Sequence, residues 1–258
     1  MYFVNSRSRR LKVVFVTGTD TGVGKTVVTS LLLSHLRQKG LKAIALKPFS
    51  SGGRGDAKLL WALQEKELTL DQVNPFHFRE PLAPLVAARL HRRRISLSDV
   101  IDYIRNVAVH LDGMRGGRHG EPVLLIEGAG GLYAPLGEGF DLNDLIVELI
   151  RNPQGKRRRS NFEIRVIVVA ANRLGTINHT VLTVKALVGV SPVTIVLNEV
   201  FNLRKAGAAA VHNEAIIREL LPRSVLVSLP WLGDERLSTA LIQRNAKRLK
   251  LVLEKVLR

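Results

Sequence analysis

Cysteine is missing from this 258-residue chain. Its absence excludes disulfide frameworks, thiolate zinc sites and cysteine nucleophiles together, and fits a reducing compartment. Aromatic residues are only 5% of the chain. That leaves few platforms on which single-stranded nucleic acid could stack. Long apolar runs are also lacking, and none reaches the roughly 20 residues that cross a bilayer. The opening Met1–Lys12 is short, polar and basic, without the apolar segment of a signal peptide. These absences lead us to expect a cytoplasmic protein with no membrane partner. Acidic residues are scarce against basic ones, 22 to 39, for a formal charge of +17. Such an excess can mark a nucleic-acid or acidic-membrane surface. Here the runs Arg92–Arg94 and Lys156–Arg159 are not interleaved with aromatics and read as solvated turns. The excess is therefore read as a basic surface with some attraction for an anionic small substrate, and no nucleic-acid partner is expected.

Hydrophobic content of 46% is enough for a packed core. Short β-branched runs alternate with amphipathic stretches. Strands are predicted at Lys12–Thr17, Lys42–Lys47, Pro122–Glu127, Ile164–Ala171, Val193–Leu197 and Val225–Leu229. Helices are predicted at Lys25–Lys39, Asp56–Glu65, Leu97–Leu111, Asp141–Ile150, Thr180–Leu187, Gly207–Leu221 and Leu237–Leu257. Gly113–Glu121 and Asn152–Asn161 read as loops. Strand and helix in regular alternation imply an α/β fold, a mostly parallel sheet with helices on both faces. Strands resume directly after each loop, so residues 1–258 are read as one domain.

The strongest local signal is Thr17-Gly18-Thr19-Asp20-Thr21-Gly22-Val23-Gly24-Lys25-Thr26, between a predicted strand and a predicted helix. That context is what a P-loop needs: backbone N–H groups turned around phosphate oxygens at a helix N-terminus. Lys25 would reach the β- and γ-phosphates and the Thr26 hydroxyl would bind Mg²⁺. The loop is a variant. Thr19 stands where the first glycine is usual, with Gly18 one residue earlier. Asp20 stands where face-to-face dimerising P-loop ATPases carry an extra lysine, which argues against the chromosome- and septum-positioning ATPases. Glu127 ends a buried strand before Gly128-Ala129-Gly130-Gly131, the place for a metal-binding acid at the ligand crevice. Asp56 follows a glycine-rich turn and reads equally as a metal ligand or a helix N-cap. Lys47 ends the second strand, and reads equally as a surface lysine or as a cation that neutralises a transferring phosphoryl group.

In order along the chain stand FVTGTDTGVGKT, LKPFSSG, GDA, EGAGGL, LGTINHT, a strand ending in Asn198, and LPWL. Together, from about Val13 to Leu232, these resemble the dethiobiotin synthetases. The resemblance implies a homodimeric P-loop enzyme. It would convert 7,8-diaminopelargonate (7,8-diaminononanoate), CO₂ and Mg-ATP to dethiobiotin, ADP and phosphate, through a carbamate and a carbamic–phosphoric anhydride. Lys25 and Lys47 match the lysines that stabilise the transferring phosphoryl group, and Lys47 holds the catalytic position. Thr26, Asp56 and Glu127 match the Mg²⁺ ligands. Gly22, Val23, Gly24, Lys25, Thr26 and Val27 match the triphosphate loop, with Gly128, Ala129 and Gly130 beside it. Asn198, with Glu199, matches the adenine contact, and Pro230, Trp231 and Leu232 the segment packed near the base. Thr21 and Ser51 match substrate contacts. Gly175, Thr176, Ile177 and Asn178 match a loop that crosses the dimer interface to hold the substrate carboxylate.

Four features depart from the family pattern. Gly22 occupies a position that is often acidic. Glu199 stands where Asp is common. Asn152–Arg165 is longer and more basic than usual. The stretch from Lys47 to Asp56 is short, so the loop over the substrate should be tighter. Two other readings remain. One is a related P-loop synthetase, although the glutaminase-bearing kind needs a cysteine that this chain lacks. The other is a regulatory ATPase that binds nucleic acid.

Overall fold

The computed structural model describes residues 11–113, 121–151, 162–187, 189–190, 193–200, 208–233 and 235–257. In chain order the elements begin with β1 (Leu11–Gly18), α1 (Lys25–Gln38), β2 (Ala43–Leu46), β3 (Phe49–Ser51) and α2 (Gly55–Leu63). There follow α3 (Leu70–Val73), β4 (Phe76–Phe78), α4 (Pro84–Leu90), α5 (Leu97–Gly113), β5 (Val123–Glu127) and α6 (Leu142–Ile150). The last are β6 (Phe162–Ala171), α7 (Thr176–Ala186), β7 (Val193–Asn198), α8 (Ala208–Leu220), β8 (Val225–Leu229), α9 (Thr239–Arg248) and α10 (Lys250–Val256).

Six strands form one sheet in the order β2-β5-β1-β6-β7-β8, every pair parallel. β2, β5 and β7 are buried along their whole length, and β1 at all but one position. A strand covered on both faces has no polar side, which is why these read as continuous apolar runs. Helices cover both faces: α1 packs with α2, α9 and α10, while α5 packs with α6. Among the described residues, no helix is long and apolar enough to cross a membrane.

Side-chain caps set several helix starts. Asp141 accepts from the Asp144 backbone at 3.0 Å in a capping box that opens α6. Ser238 caps α9.

Four differences from the sequence reading bear on the site. A second, two-stranded parallel sheet pairs β3 with β4. Three-residue strands next to Pro48 and Pro75 carry too little pattern to be legible, and a stacked Phe49–Phe76 pair at 4.9 Å helps hold them. α7 begins at Thr176 instead of Thr180, because Gly175 takes a left-handed conformation and turns the chain directly into helix. LGTIN is therefore mostly the first turn of a helix and not a loop. Arg54, not Asp56, is the N-cap of α2. The expected C-terminal helix is two helices that meet at Leu249. One turn earlier the buried Asn245 points its side-chain amide at the Leu241 carbonyl, competing with the backbone ladder. Arg92–Arg94 lie exposed in the turn between α4 and α5, as expected. Residues 152–161, with Lys156–Arg159, lie outside the described residues, as do residues 114–120 of the other expected loop.

Candidate active site

In a parallel sheet every strand points its carboxyl end the same way, so their ends share one crevice. Here that edge collects Gly18 of β1, Lys47 just past β2, Glu127 of β5, Ala171 of β6 and Asn198 of β7. β1 is central, so the loop it feeds lies between the other ends. Gly24 is the residue on which the loop turns into α1. Its φ is 98°, and a Cβ there would collide with the Asn198 side-chain amide. Gly22 is also left-handed, at φ 75°, yet no atom stands within 4 Å of the position a Cβ would take. A side chain at this position would thus meet open space above the loop.

Four charged groups meet at the phosphate end. Glu127 is fully buried, and its Oε1 accepts from Lys47 Nζ at 2.5 Å and from Thr26 Oγ1 at 2.7 Å. Lys47 Nζ also donates to the Gly128 carbonyl at 3.0 Å and lies 3.6 Å from Asp56 Oδ2. Lys25 Nζ donates to the Asp20 carbonyl at 2.7 Å. Burial disfavours charge on Lys47, but Glu127 and Asp56 outweigh it and hold the amine above the usual lysine range. Lys25 goes the other way: burial, and then the charge on Lys47, lower it to about 8. The two lysines therefore differ in role within one cluster. Lys47 is tied into carboxylates, whereas Lys25 is held by a single neutral carbonyl.

Glu127 Oε2 is buried with no hydrogen-bond partner. A buried carboxylate oxygen without a donor, beside the Thr26 hydroxyl, fits a divalent cation held by Thr26 and Glu127, with Asp56 on the solvent side. Among the described residues there is no cluster of three or more acidic or histidine side chains that would hold a metal on protein ligands alone.

The crevice at the end of β7 is built differently. Asn198 is buried and donates from Nδ2 to the Val23 carbonyl at 3.0 Å, linking the end of β7 to the P-loop. Asn172 bonds the Asn198 carbonyl through its backbone N–H at 2.8 Å and Glu199 Oε1 through its side chain at 2.5 Å. Asn213 of α8 donates to Asn172 Oδ1 at 2.8 Å. Pro230–Leu232 follow Leu229, which pairs with Asn198 across β7 and β8. Thr21 lies on the exposed rim, its N–H on Asp20 Oδ1.

Not every candidate joins the cluster. No hydrogen bond among the described residues ties Ser51 or Gly175–Asn178 to it; Ser51 ends β3, and Thr176–Asn178 form the first turn of α7. Three groups escaped the sequence reading. Arg173 reaches from the end of β6 to within 3.7 Å of Asp20 Oδ2. Asn172 and Asn213 support the end of β7. None lies in a recognisable motif, although Arg173 directly precedes LGTIN. A cavity of about 550 Å³ lies elsewhere, lined by Lys12, His35, Lys39 and Glu254 at the amino ends of the strands. It is away from the loop, and two of its cations, Lys12 and Lys39, are already matched by Glu121 and Glu254.

A family model described as an AAA domain matches residues 12–236. The ATP-dependent dethiobiotin synthetase BioD of Anaeromyxobacter sp. (strain Fw109-5) is 38% identical over 227 residues, covering 86% of this chain and 91% of that protein. The BioD of Bacillus licheniformis is 36% identical over 231 residues, covering 87% and 88%. A solved structure of the signal recognition particle receptor FtsY from Elizabethkingia anophelis is 15% identical at a TM-score of 0.49, covering 92% of this chain and 66% of that one. With a P-loop variant, a strand-end acid and a strand-end lysine brought to one crevice, and relatives matched over nearly their full length, the chain belongs to the ATP-dependent dethiobiotin synthetase family.

Proposed function

We propose that this chain uses ATP to carboxylate 7,8-diaminopelargonate and close its ring, making dethiobiotin, ADP and phosphate in biotin biosynthesis. The observation that carries the reading is the convergence of Lys25, Thr26, Lys47, Asp56 and Glu127 at one P-loop in a chain of this family. CO₂ adds to one amine of the diamine, which loses a proton and becomes a carbamate. A carbamate oxygen attacks the γ-phosphorus, the bond to the β–γ bridging oxygen breaks, and ADP leaves. The second amine attacks the carbonyl carbon of the carbamic–phosphoric anhydride, and phosphate departs as the ring closes. No protein nucleophile is needed, so position and charge supply the rate.

Each group has a role in that scheme. Lys25 leaves the Asp20 carbonyl for the β- and γ-phosphate oxygens. Lys47 neutralises charge that grows on the transferring phosphoryl group. Thr26, Asp56 and Glu127 would hold Mg²⁺, which when bound offsets charge on the phosphates. Gly22–Val27 and Gly128–Gly130 surround the triphosphate. Asn198, Glu199 and Pro230–Leu232 hold the base. Thr21 and Ser51 contact the diamine. Gly175–Asn178, at the start of α7, receive the substrate carboxylate from a second copy of the chain in a cytoplasmic homodimer, where a helix N-terminus favours an anion. Residues 1–258 act as one domain, without nucleic acid.

The test is ADP release by folded protein with Mg²⁺. Release should require diamine and bicarbonate together. No release with both present would end the proposal.

A further inference from the structure

Lys47 and Asp56 meet in space, but they stand at opposite ends of a short excursion that runs through β3 and into α2. What sets the span of that excursion is Asn74, which is 1% exposed in the turn between α3 and β4. Its Nδ2 donates to the Lys47 carbonyl at 2.6 Å and reaches the Pro48 carbonyl at 3.5 Å. Its Oδ1 accepts from Ser50 Oγ at 2.8 Å and from Arg54 Nε at 3.1 Å. Both amide hydrogens and both lone pairs are thereby used. Arg54 extends the network from the other end. Its NH2 donates to the Leu70 carbonyl at 3.1 Å and the Asn74 carbonyl at 3.0 Å, and pairs with Asp71 at 2.8 Å. The backbone adds Lys47 N–H to the Val73 carbonyl and Phe76 N–H to the Pro48 carbonyl. Residues 70–76 thus act as a rail to which both ends of the excursion are fixed, Lys47 at one and Arg54, two residues before Asp56, at the other.

We propose that Asn74 and Arg54 are positioning residues that fix the distance between Lys47 and Asp56, and so aim the lysine at the transferring phosphoryl group without touching any substrate. The proposal rests on the role given to Lys47 above. A saturated buried amide suits this task, because moving any one partner orphans the others and the network resists small shifts. Phosphoryl transfer is sensitive to such shifts, since a displacement of about 1 Å can cost roughly 100-fold.

Arg54→Lys and Asn74→Ala in the full chain test it. Arg54→Lys keeps the charge but loses the planar fork that serves four acceptor oxygens. Three quantities are read against wild type: the dissociation constant for ATP without diamine, kcat for ADP release at saturating diamine and bicarbonate, and amide hydrogen exchange in peptides covering 47–56 and 17–26. The expected result is a kcat lowered roughly 10- to 100-fold with ATP affinity within about threefold. Exchange should quicken in 47–56 and stay unchanged in 17–26. A kcat within about threefold of wild type overturns the proposal, as does a parallel loss of kcat and ATP affinity, which a general weakening of the fold would give. If Asn74→Ala does not fold, Arg54→Lys decides. If the wild-type chain releases no ADP, the activity assignment fails on its own, and unchanged exchange in 47–56 would still reject the clamp.

Discussion

The two ends of the crevice solve the same problem with opposite chemistry. The phosphate end is built of charges packed where water is scarce: Lys47 and Glu127 touch at 2.5 Å, both buried. The end proposed to hold the base is built of neutral amides: Asn172, Asn198 and Asn213 bond one another and the backbone, with Glu199 the one acid among them. The difference suits the ligand proposed for each end. A triphosphate brings about four negative charges, and cations held ready in low dielectric neutralise them without reorganisation. A nucleobase brings none, and is recognised by donors and acceptors in fixed places. Each end also carries its own cost. A buried ion pair is expensive to break, whereas an amide network loses about one hydrogen bond at a time.

Four predictions sharpen that contrast. Lys47→Ala removes charge stabilisation formed at the phosphate end, so kcat should fall by roughly 100-fold or more while ATP affinity changes little. Steady-state kinetics beside a nucleotide titration checks this, and full rate in the variant would remove Lys47 from the chemistry. Glu127→Gln leaves the Lys47 amine buried without its main counter-charge. Unliganded protein should lose about 3 kcal/mol in denaturant unfolding. An unchanged midpoint would mean that the pair contributes nothing to stability. Asn198→Ala strikes the base end and cuts the tie to the Val23 carbonyl. ATP affinity should drop by about tenfold, one hydrogen bond's worth, with kcat at saturation nearly intact. The smallest effect is in pH. Lys25 is depressed to about 8, so its charge is complete well below that pH and is lost as pH rises through it. ATP affinity should weaken by up to about tenfold from pH 7 to pH 9. The same titration with Lys25→Arg should be flat, because guanidinium keeps its proton.

Much of this arrangement was legible in the residues. The P-loop was readable because a glycine-rich turn, a lysine and a threonine must occur in unbroken order, and α1 starts at Lys25 as expected. The strands of the main sheet were readable because β1, β2, β5 and β7 are buried on both faces, which leaves an apolar run, and β6 and β8 carry shorter buried runs. Asp56 and Lys47 were ambiguous, since a helix cap and a metal ligand use the same residue type. The fold removes the cap reading for Asp56 by giving the cap to Arg54, and it sets Asp56 3.6 Å from Lys47. β3, β4, α3 and α4 were not readable. Their lengths, 3, 3, 4 and 7 residues, fall below what periodicity can report. Asn74 was hidden for the same reason: it sits between two of those short elements.

The sequence by itself determined the kind of chemistry available here. It has a loop for phosphate, an acid and a lysine at strand ends, no thiol, and an alternation that implies a mostly parallel sheet. These are local properties, written in neighbouring residues. Only the tertiary structure decided which charges meet. Glu127 lies 101 residues from Thr26 and 80 from Lys47, and its carboxylate bonds both. Strand order, with β1 between β5 and β6, brings them together. That order depends on how helices of particular length pack over the sheet, which no short stretch of residues records.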